Sequence, residues 1–245
     1  MNVTTHFKKQ IKYFDKEFSS MQQYELSEWQ KSYIDKIKQY VLDKDFKKKT
    51  LLDIGTGSGY IAVEIARLGM HVIACDLSPQ AIENLQKYKK KLKLKNLDLI
   101  ICNAEKIPLR NGSVDYIVCN ALLEHIPHEK KTIAEWKRLL NKKGKLFITV
   151  PLSLTYVWPF LWPINMVHDK NLGHLRRYDY GSLKNKFNLP IEKVFYTGHL
   201  VKVVGVIFSM ILRTKKMDNW LERADRLTEN FEYGANNISI LFKNK

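Results

Sequence analysis

The sequence predicts an α/β fold: a doubly wound, mostly parallel sheet with helices on both faces. Three observations point there. Short apolar strands alternate with helical patterns at β-α-β spacing between Thr50 and Pro151. A glycine loop, GTGSG at 55–59, joins the first of these strands to the first following helix. Polar or small residues then end the later strands, at Asp76, Asn103–Ala104 and Asn120–Ala121, so four strand ends face one crevice.

The elements follow in order. Leu26, Trp29, Tyr33, Ile37 and Val41 recur at three- and four-residue spacing, the pattern of one apolar helix face over 25–42. Thr50–Ile54 reads as a strand, and a helix runs from the glycine loop through Leu68 to a stop at Gly69. His71–Cys75 is a second strand. Ser78 and Pro79 then start a helix as N-cap and first helical residue, with Ile82, Leu85 and Leu92 on its inner face. Strands are expected at Leu97–Cys102 and Val114–Cys119, and a helix at Glu129–Asn141 using Ile133, Trp136 and Leu140. Gly144 reads as its stop, followed by a strand at Lys145–Val150 ended by Pro151. Beyond it the pattern changes. Tyr156, Trp158, Phe160 and Trp162 lie in an apolar insert where Pro159 and Pro163 argue against a regular helix. A helix at Ser182–Phe187, strands at Ile191–Tyr196 and Ile238–Phe242, an apolar helix at Val201–Leu212 and a polar one at Asp218–Asn230 complete the chain.

Composition narrows the class. The 245 residues suffice for a sizeable core, and 45% hydrophobic with 27% charged residues is ordinary for a globular protein. The charged N-terminus lacks an apolar h-region, which argues against a cleaved secretory signal. Leu200–Leu212 is too short to span a bilayer, so the cytoplasm is the expected compartment. Cys75, Cys102 and Cys119 form no C-x-x-C pair and read as small core side chains. The net charge of +16 favours an anionic partner, either nucleic acid, an acidic lipid surface or an acidic substrate, although the lysines are spread along the chain.

The loop and the strand ends carry the chemistry. Glycine lets the chain turn tightly and lets a ligand approach the backbone, while the following helix N-terminus offers free N–H groups. Asp76, seventeen residues after Gly59, is placed to accept both hydroxyls of a ribose. The spacing is G-x-G-x-G, and Tyr60 stands where a dinucleotide fingerprint has its third glycine. A Walker phosphate loop is excluded because no G-K-[ST] follows.

LDIGTGSG, CDLSP, NAEKIPLRNGSVDYIVCNALLEHIP and KKGKLFITVP resemble the successive motifs of class I S-adenosylmethionine-dependent methyltransferases. The similarity is to the methyltransferase type 11, ubiquinone/menaquinone-biosynthesis-like subgroup. It is strong over about 48–151 and extends to GHLRRYDYGSLKNKF at 173–187. The resemblance implies a Rossmann-like seven-stranded sheet with a final antiparallel strand, supplied by NNISILFKNK. It implies a single domain at 1–245: an N-terminal helical lid at 1–47, a cofactor-binding core at 48–151, an acceptor-side insertion at 152–190, and closing strands and helices at 191–245. It implies S-adenosyl-L-methionine as cofactor and S-adenosylhomocysteine as product. Asp53, Gly55, Thr56, Gly57 and Gly59 would hold the methionine part. Asp76 would take the ribose, Leu77 would pack on the adenine, Asn103 and Ala104 would meet its edge, and Asn120 would lie beneath the sulfonium. Asn103 departs from the aspartate common in the family, but its oxygen can still accept from the adenine amino group.

The acceptor stays open. His125, His168 and His174 are the base candidates, with His125 and His174 preferred as catalytic residues, and Arg176–Arg177 would suit an anionic group or tie down a loop. The aromatic insert, the Val201–Leu212 run and an N-terminal segment with Tyr13, Phe14 and Tyr24 are either core, a lid over an apolar acceptor, or a surface against an anionic membrane. A small-molecule or lipid-like acceptor is the leading expectation, and RNA methylation or RNA binding on the basic surface is the alternative. The histidines and acids lack metal-ligand spacing, so no metal is expected.

Overall fold

A computed structural model describes residues 3–19, 25–199 and 215–244. Seven strands form one sheet in the order β3-β2-β1-β4-β5-β7-β6. They are β1 Thr50–Ile54, β2 His71–Asp76, β3 Leu97–Ile101, β4 Val114–Asn120, β5 Leu140–Pro151, β6 Ile191–Thr197 and β7 Asn237–Lys243. β1 pairs in parallel with both β2 and β4, and β7 runs antiparallel between β5 and β6. The order reverses between β1 and β4, and a crevice opens at their carboxyl ends.

Alternation along the strands feeds two cores. Leu52 and Ile54 of β1 join Trp136, Ile148 and Ile240 on one face of the sheet. Leu51 joins Val63, Phe147 and Phe195 on the other. Strands buried on both faces need helices on both, and the chain supplies them. The described helices are α1 Val3–Ser19, α2 Glu28–Lys36, α3 Tyr60–Arg67, α4 Pro79–Lys91, α5 Glu129–Leu139, α6 Trp162–Leu172, α7 Tyr180–Phe187 and α8 Lys215–Leu227. Among the described residues no helix is long and apolar enough to cross a membrane.

Local signals held where a single interaction sets the geometry. The Ser78 side chain accepts from the Ala81 amide and Pro79 opens α4. Asp179, one turn before Ser182, caps α7 in a reciprocal box, so that helix starts at Tyr180. Other expectations need correction. Leu92 is 37% exposed because α4 ends at Lys91, and Leu92 is only its cap. Pro163 does not prevent a helix; it occupies the first turn of α6, where its missing N–H costs nothing. Tyr13 points outward, and Trp29 leaves the α2 core face to set its ring edge-on to Tyr60. The Val201–Leu212 run and Tyr24 lie outside the described residues.

Gly144 is not a helix stop. β5 begins at Leu140, paired with Val114, and its register with β4 then jumps, Tyr116 facing Lys145. The residues between form a bulge, with Lys143 at a positive φ of 66°. A Cβ on Gly144 would lie 2.8 Å from Asn141 Oδ1 and Leu140 Cδ1, and 2.9 Å from the Asp115 carbonyl oxygen. That oxygen is backbone and cannot swing away. Gly144→Ala is therefore expected to destabilise the fold by about 1–3 kcal/mol, the usual range for overpacking. Urea unfolding checks it: the midpoint drops at unchanged slope.

Candidate functional site

Three glycines shape the loop after β1. Gly55, Gly57 and Gly59 have φ of 70°, 51° and 77°, a region that favours glycine. A Cβ on Gly55 would fall 2.8 Å from Leu122 Cδ2, and one on Gly59 would run into Leu85. The loop folds back on β2, where the Gly55 and Thr56 amides both donate to the Cys75 carbonyl, at 2.9 and 3.1 Å.

Two carboxylates meet at this turn. Asp53 is buried at the end of β1, and Thr56 Oγ1 donates to it at 2.6 Å. Burial pushes its carboxyl up to about 7; the Thr56 bond opposes the shift and the charge of Asp76 adds to it. Asp76 accepts the Gly57 amide on Oδ2 and the Ser78 amide on Oδ1, each at 2.9 Å. Burial raises its carboxyl too, against the pull of those amides. Each oxygen keeps lone-pair capacity for a further donor.

The next strand ends complete the crevice. Asn103 Oδ1 accepts the Glu105 amide at 2.8 Å, so it is already engaged once. The Ala104 carbonyl accepts from Trp136 Nε1 at 3.1 Å, which fixes that turn on α5. Asn120 Nδ2 donates to the Tyr60 hydroxyl at 3.0 Å. Tyr60, where a dinucleotide fold would have glycine, thus orients Asn120.

Three adjoining cavities lie here. The first is lined by Gly55, Asp76, Leu77, Asn103 and Ala104 and roofed by Phe7, Ile11 and Phe14 of α1. The second runs along Gly55, Thr56, Gly57, Tyr60 and Asn120. The third shares Trp29 and Asn120 with the second and reaches Lys36, Thr149, Asp225 and Arg226. Sequence reasoning named Phe14 for an N-terminal lid but missed the rest of this roof, Phe7 and Ile11. The spacing of Phe7, Ile11 and Phe14 at i, i+4 and i+7 is an amphipathic signal that could have found it. Leu122 carried no comparable pattern, and Trp29 was read as part of the apolar face of its helix.

The expected basic and cationic residues fare differently. His125 lines the first two cavities, buried between Phe14 and His174, with ring centroids 5.6 and 4.7 Å away. Burial depresses its pKa to about 3, helped by the charges of His174 and His6. His174 is in the wall of none of the three cavities. His168 is exposed on α6. The arginines serve the fold. Arg177 binds Asp169 through Nε and NH2 at 2.6 and 3.0 Å, and Arg176 NH1 donates to the Ile126 carbonyl at 2.7 Å.

Residues 52–148 match the methyltransferase domain family. A ubiquinone biosynthesis O-methyltransferase of Xanthomonas oryzae pv. oryzae is 31% identical over 106 residues, 43% of this chain and 44% of that protein. A probable S-adenosylmethionine-dependent methyltransferase of Mycobacterium tuberculosis is 27% identical over 125 residues, 51% of this chain and 44% of that one. The alignments thus span less than half the length of these curated relatives. Among solved structures, geranyl diphosphate C-methyltransferase from Streptomyces coelicolor superposes with a TM-score of 0.71 at 14% identity, covering 98% of each chain. That likeness is one of fold.

Proposed function

We propose that this chain is an S-adenosylmethionine-dependent methyltransferase acting on a small-molecule or lipid-like acceptor. The observation that carries the reading is the convergence of Asp76, Asn103 and Asn120 on connected cavities around the glycine turn, with Asp53 buried at the end of the strand between them. The family match and the names of the relatives support it.

The residues fit the cofactor. Buried Asp76 offers paired acceptors to a ribose beside the apolar wall of Leu77 and Ala104. Gly55 and Gly57 take the positive φ of the turn, a Cβ on Gly55 would strike Leu122, and Asp53 places a carboxyl behind the loop for the cationic amino group of the methionine part. Asn120, fixed by Tyr60, marks the junction of the second and third cavities. When bound, the cofactor supplies a sulfonium methyl group already activated for displacement. The protein's part is then alignment and exclusion of water, with Phe7, Ile11 and Phe14 closing over the first cavity. His125, with a conjugate acid of pKa about 3, takes a proton poorly at neutral pH. This favours an acceptor whose nucleophile needs no strong base from that residue. Titration with S-adenosylhomocysteine by calorimetry, with NAD as the contrasting ligand, tests the reading. Micromolar binding of the first alone supports it; binding of NAD instead overturns it.

A second reading concerns delivery of the acceptor. Phe160, Ile164, Met166 and Val167, on and just before α6, are all exposed and apolar, on a chain of net charge +16. Such a face on a chain of net positive charge suits peripheral contact with an anionic membrane. Ile164→Asp with Val167→Asp is expected to abolish co-sedimentation with phosphatidylglycerol vesicles while leaving S-adenosylhomocysteine affinity intact. Unchanged sedimentation would remove α6 from that role. RNA as acceptor rests on net charge alone.

A further inference from the structure

We propose that Glu124, His125 and His174 form a binding site for one divalent transition-metal ion of the zinc type. The site stands independently of methyl transfer. Glu124 and His125 lie on a single 3₁₀ turn, Leu123–His125, that follows β4. His174 comes after Gly173, the left-handed cap of α6. The Leu175 amide donates to the Glu124 carbonyl at 2.8 Å, which holds the two segments together. One candidate ligand atom from each of the three side chains lies within 4.8 Å of the others.

The polar atoms here are buried and unanswered. Glu124 is 0% exposed and His125 6%. Among the described residues neither carboxylate oxygen of Glu124, nor Nδ1 of His125, has a hydrogen-bond partner. Buried polar groups are satisfied in the great majority of cases, so three orphans in two adjacent side chains require an explanation. A cation between them gives both the imidazole nitrogen and the carboxylate a partner.

The third ligand is already oriented. His174 Nδ1 pairs with Asp169 Oδ1 at 2.7 Å, which leaves Nε2 free. Asp169 is held in turn by Arg177, which also neutralises it. A carboxylate behind a histidine is the usual outer support of a metal-bound imidazole, fixing its tautomer and its direction.

The donor set selects the ion. Two imidazoles and one carboxylate suit zinc with one coordination position open, whereas magnesium and calcium prefer all-oxygen shells. Zinc bonds of about 2.0–2.2 Å put neighbouring ligands about 3.4 Å apart. Binding therefore draws the three side chains inward by small torsions. The ion would pin the turn after β4, which carries the wall residues Leu122 and His125, to the segment that follows α6.

The test uses the full chain stripped of metal with a chelator and titrated with zinc sulfate by calorimetry, with magnesium sulfate as the control. One zinc per chain at submicromolar affinity, a raised melting temperature with zinc and no response to magnesium are expected. His174→Ala and Glu124→Gln should each weaken zinc binding at least 30-fold. Circular dichroism should match that of the wild type for both variants; metal-free melting should stay close to wild type for Glu124→Gln, whose amide keeps the shape of the carboxyl, and fall somewhat for His174→Ala, which gives up the bond to Asp169. Absence of stoichiometric zinc binding overturns the proposal. So does equal binding by His174→Ala, which would trace the metal to exposed histidines such as His71 and His168.

Discussion

Asp76→Ala is expected to lower the affinity for S-adenosylhomocysteine at least about 100-fold. Hydrogen bonds to a charged acceptor contribute about 1.5–3 kcal/mol each, and a ribose offers two hydroxyls to this carboxylate. Tenfold in affinity is about 1.4 kcal/mol, so the pair accounts for two orders of magnitude or more. A second effect adds to the first. The carboxylate also accepts the Gly57 and Ser78 amides, and its removal frees the glycine loop and the entry to α4 together. Asp76→Asn separates the two contributions: its one remaining oxygen can answer only one of those amides, so it should retain part of the fold stability and little of the affinity. Calorimetry measures the affinity, and a thermal melt of each variant reports the loop. Wild-type affinity in Asp76→Ala would remove the residue from the site, and the cofactor assignment with it.

What the sequence disclosed follows from the range of the interactions involved. β1 was legible to the residue because an apolar run meets a glycine loop, and both signals are local. The start of α4 was legible because Ser78 and Pro79 act within one turn. The antiparallel direction of β7 was expected only through resemblance, since nothing local distinguishes NNISILF from a parallel strand, and its place between β5 and β6 came from the structure. At the site, Asp53, Asp76, Asn103 and Asn120 could be placed because strand ends in this topology share one edge. Glu124, His125 and His174 could not be grouped. Their proximity depends on a chain reversal through α6, and α6 itself was hidden because Pro163 reads as a breaker until its position in the first turn is known. The bulge at Gly144 was missed for a related reason. Its clash partner, the Asp115 carbonyl, belongs to another strand.

A large effect of pH is expected from Asp53. Its carboxyl titrates near 7 in the folded chain and near 3.9 in an unfolded one. Between those values the folded state binds more protons. The contribution of Asp53 to stability is therefore most favourable below pH 4, declines as pH rises from about 4 to 7, and is level above. Three units correspond to a decline of about 4 kcal/mol. Asp53→Asn should flatten this profile, because an amide carries no proton to lose. Cofactor binding should show the converse. A cationic amino group brought beside Asp53 favours the ionised carboxylate, so binding below pH 7 must expel a proton. Affinity for S-adenosylhomocysteine is expected to fall about tenfold per pH unit below 7 and to be nearly constant just above it. Calorimetry in two buffers of different ionisation enthalpy measures the proton released: about half a proton at pH 7, approaching one at pH 6. Asp53→Asn should bind weakly with no such release, while the neighbouring Asp76 keeps its own response. If the wild type releases no proton between pH 6 and 7, ligand binding does not ionise Asp53 and this linkage is overturned.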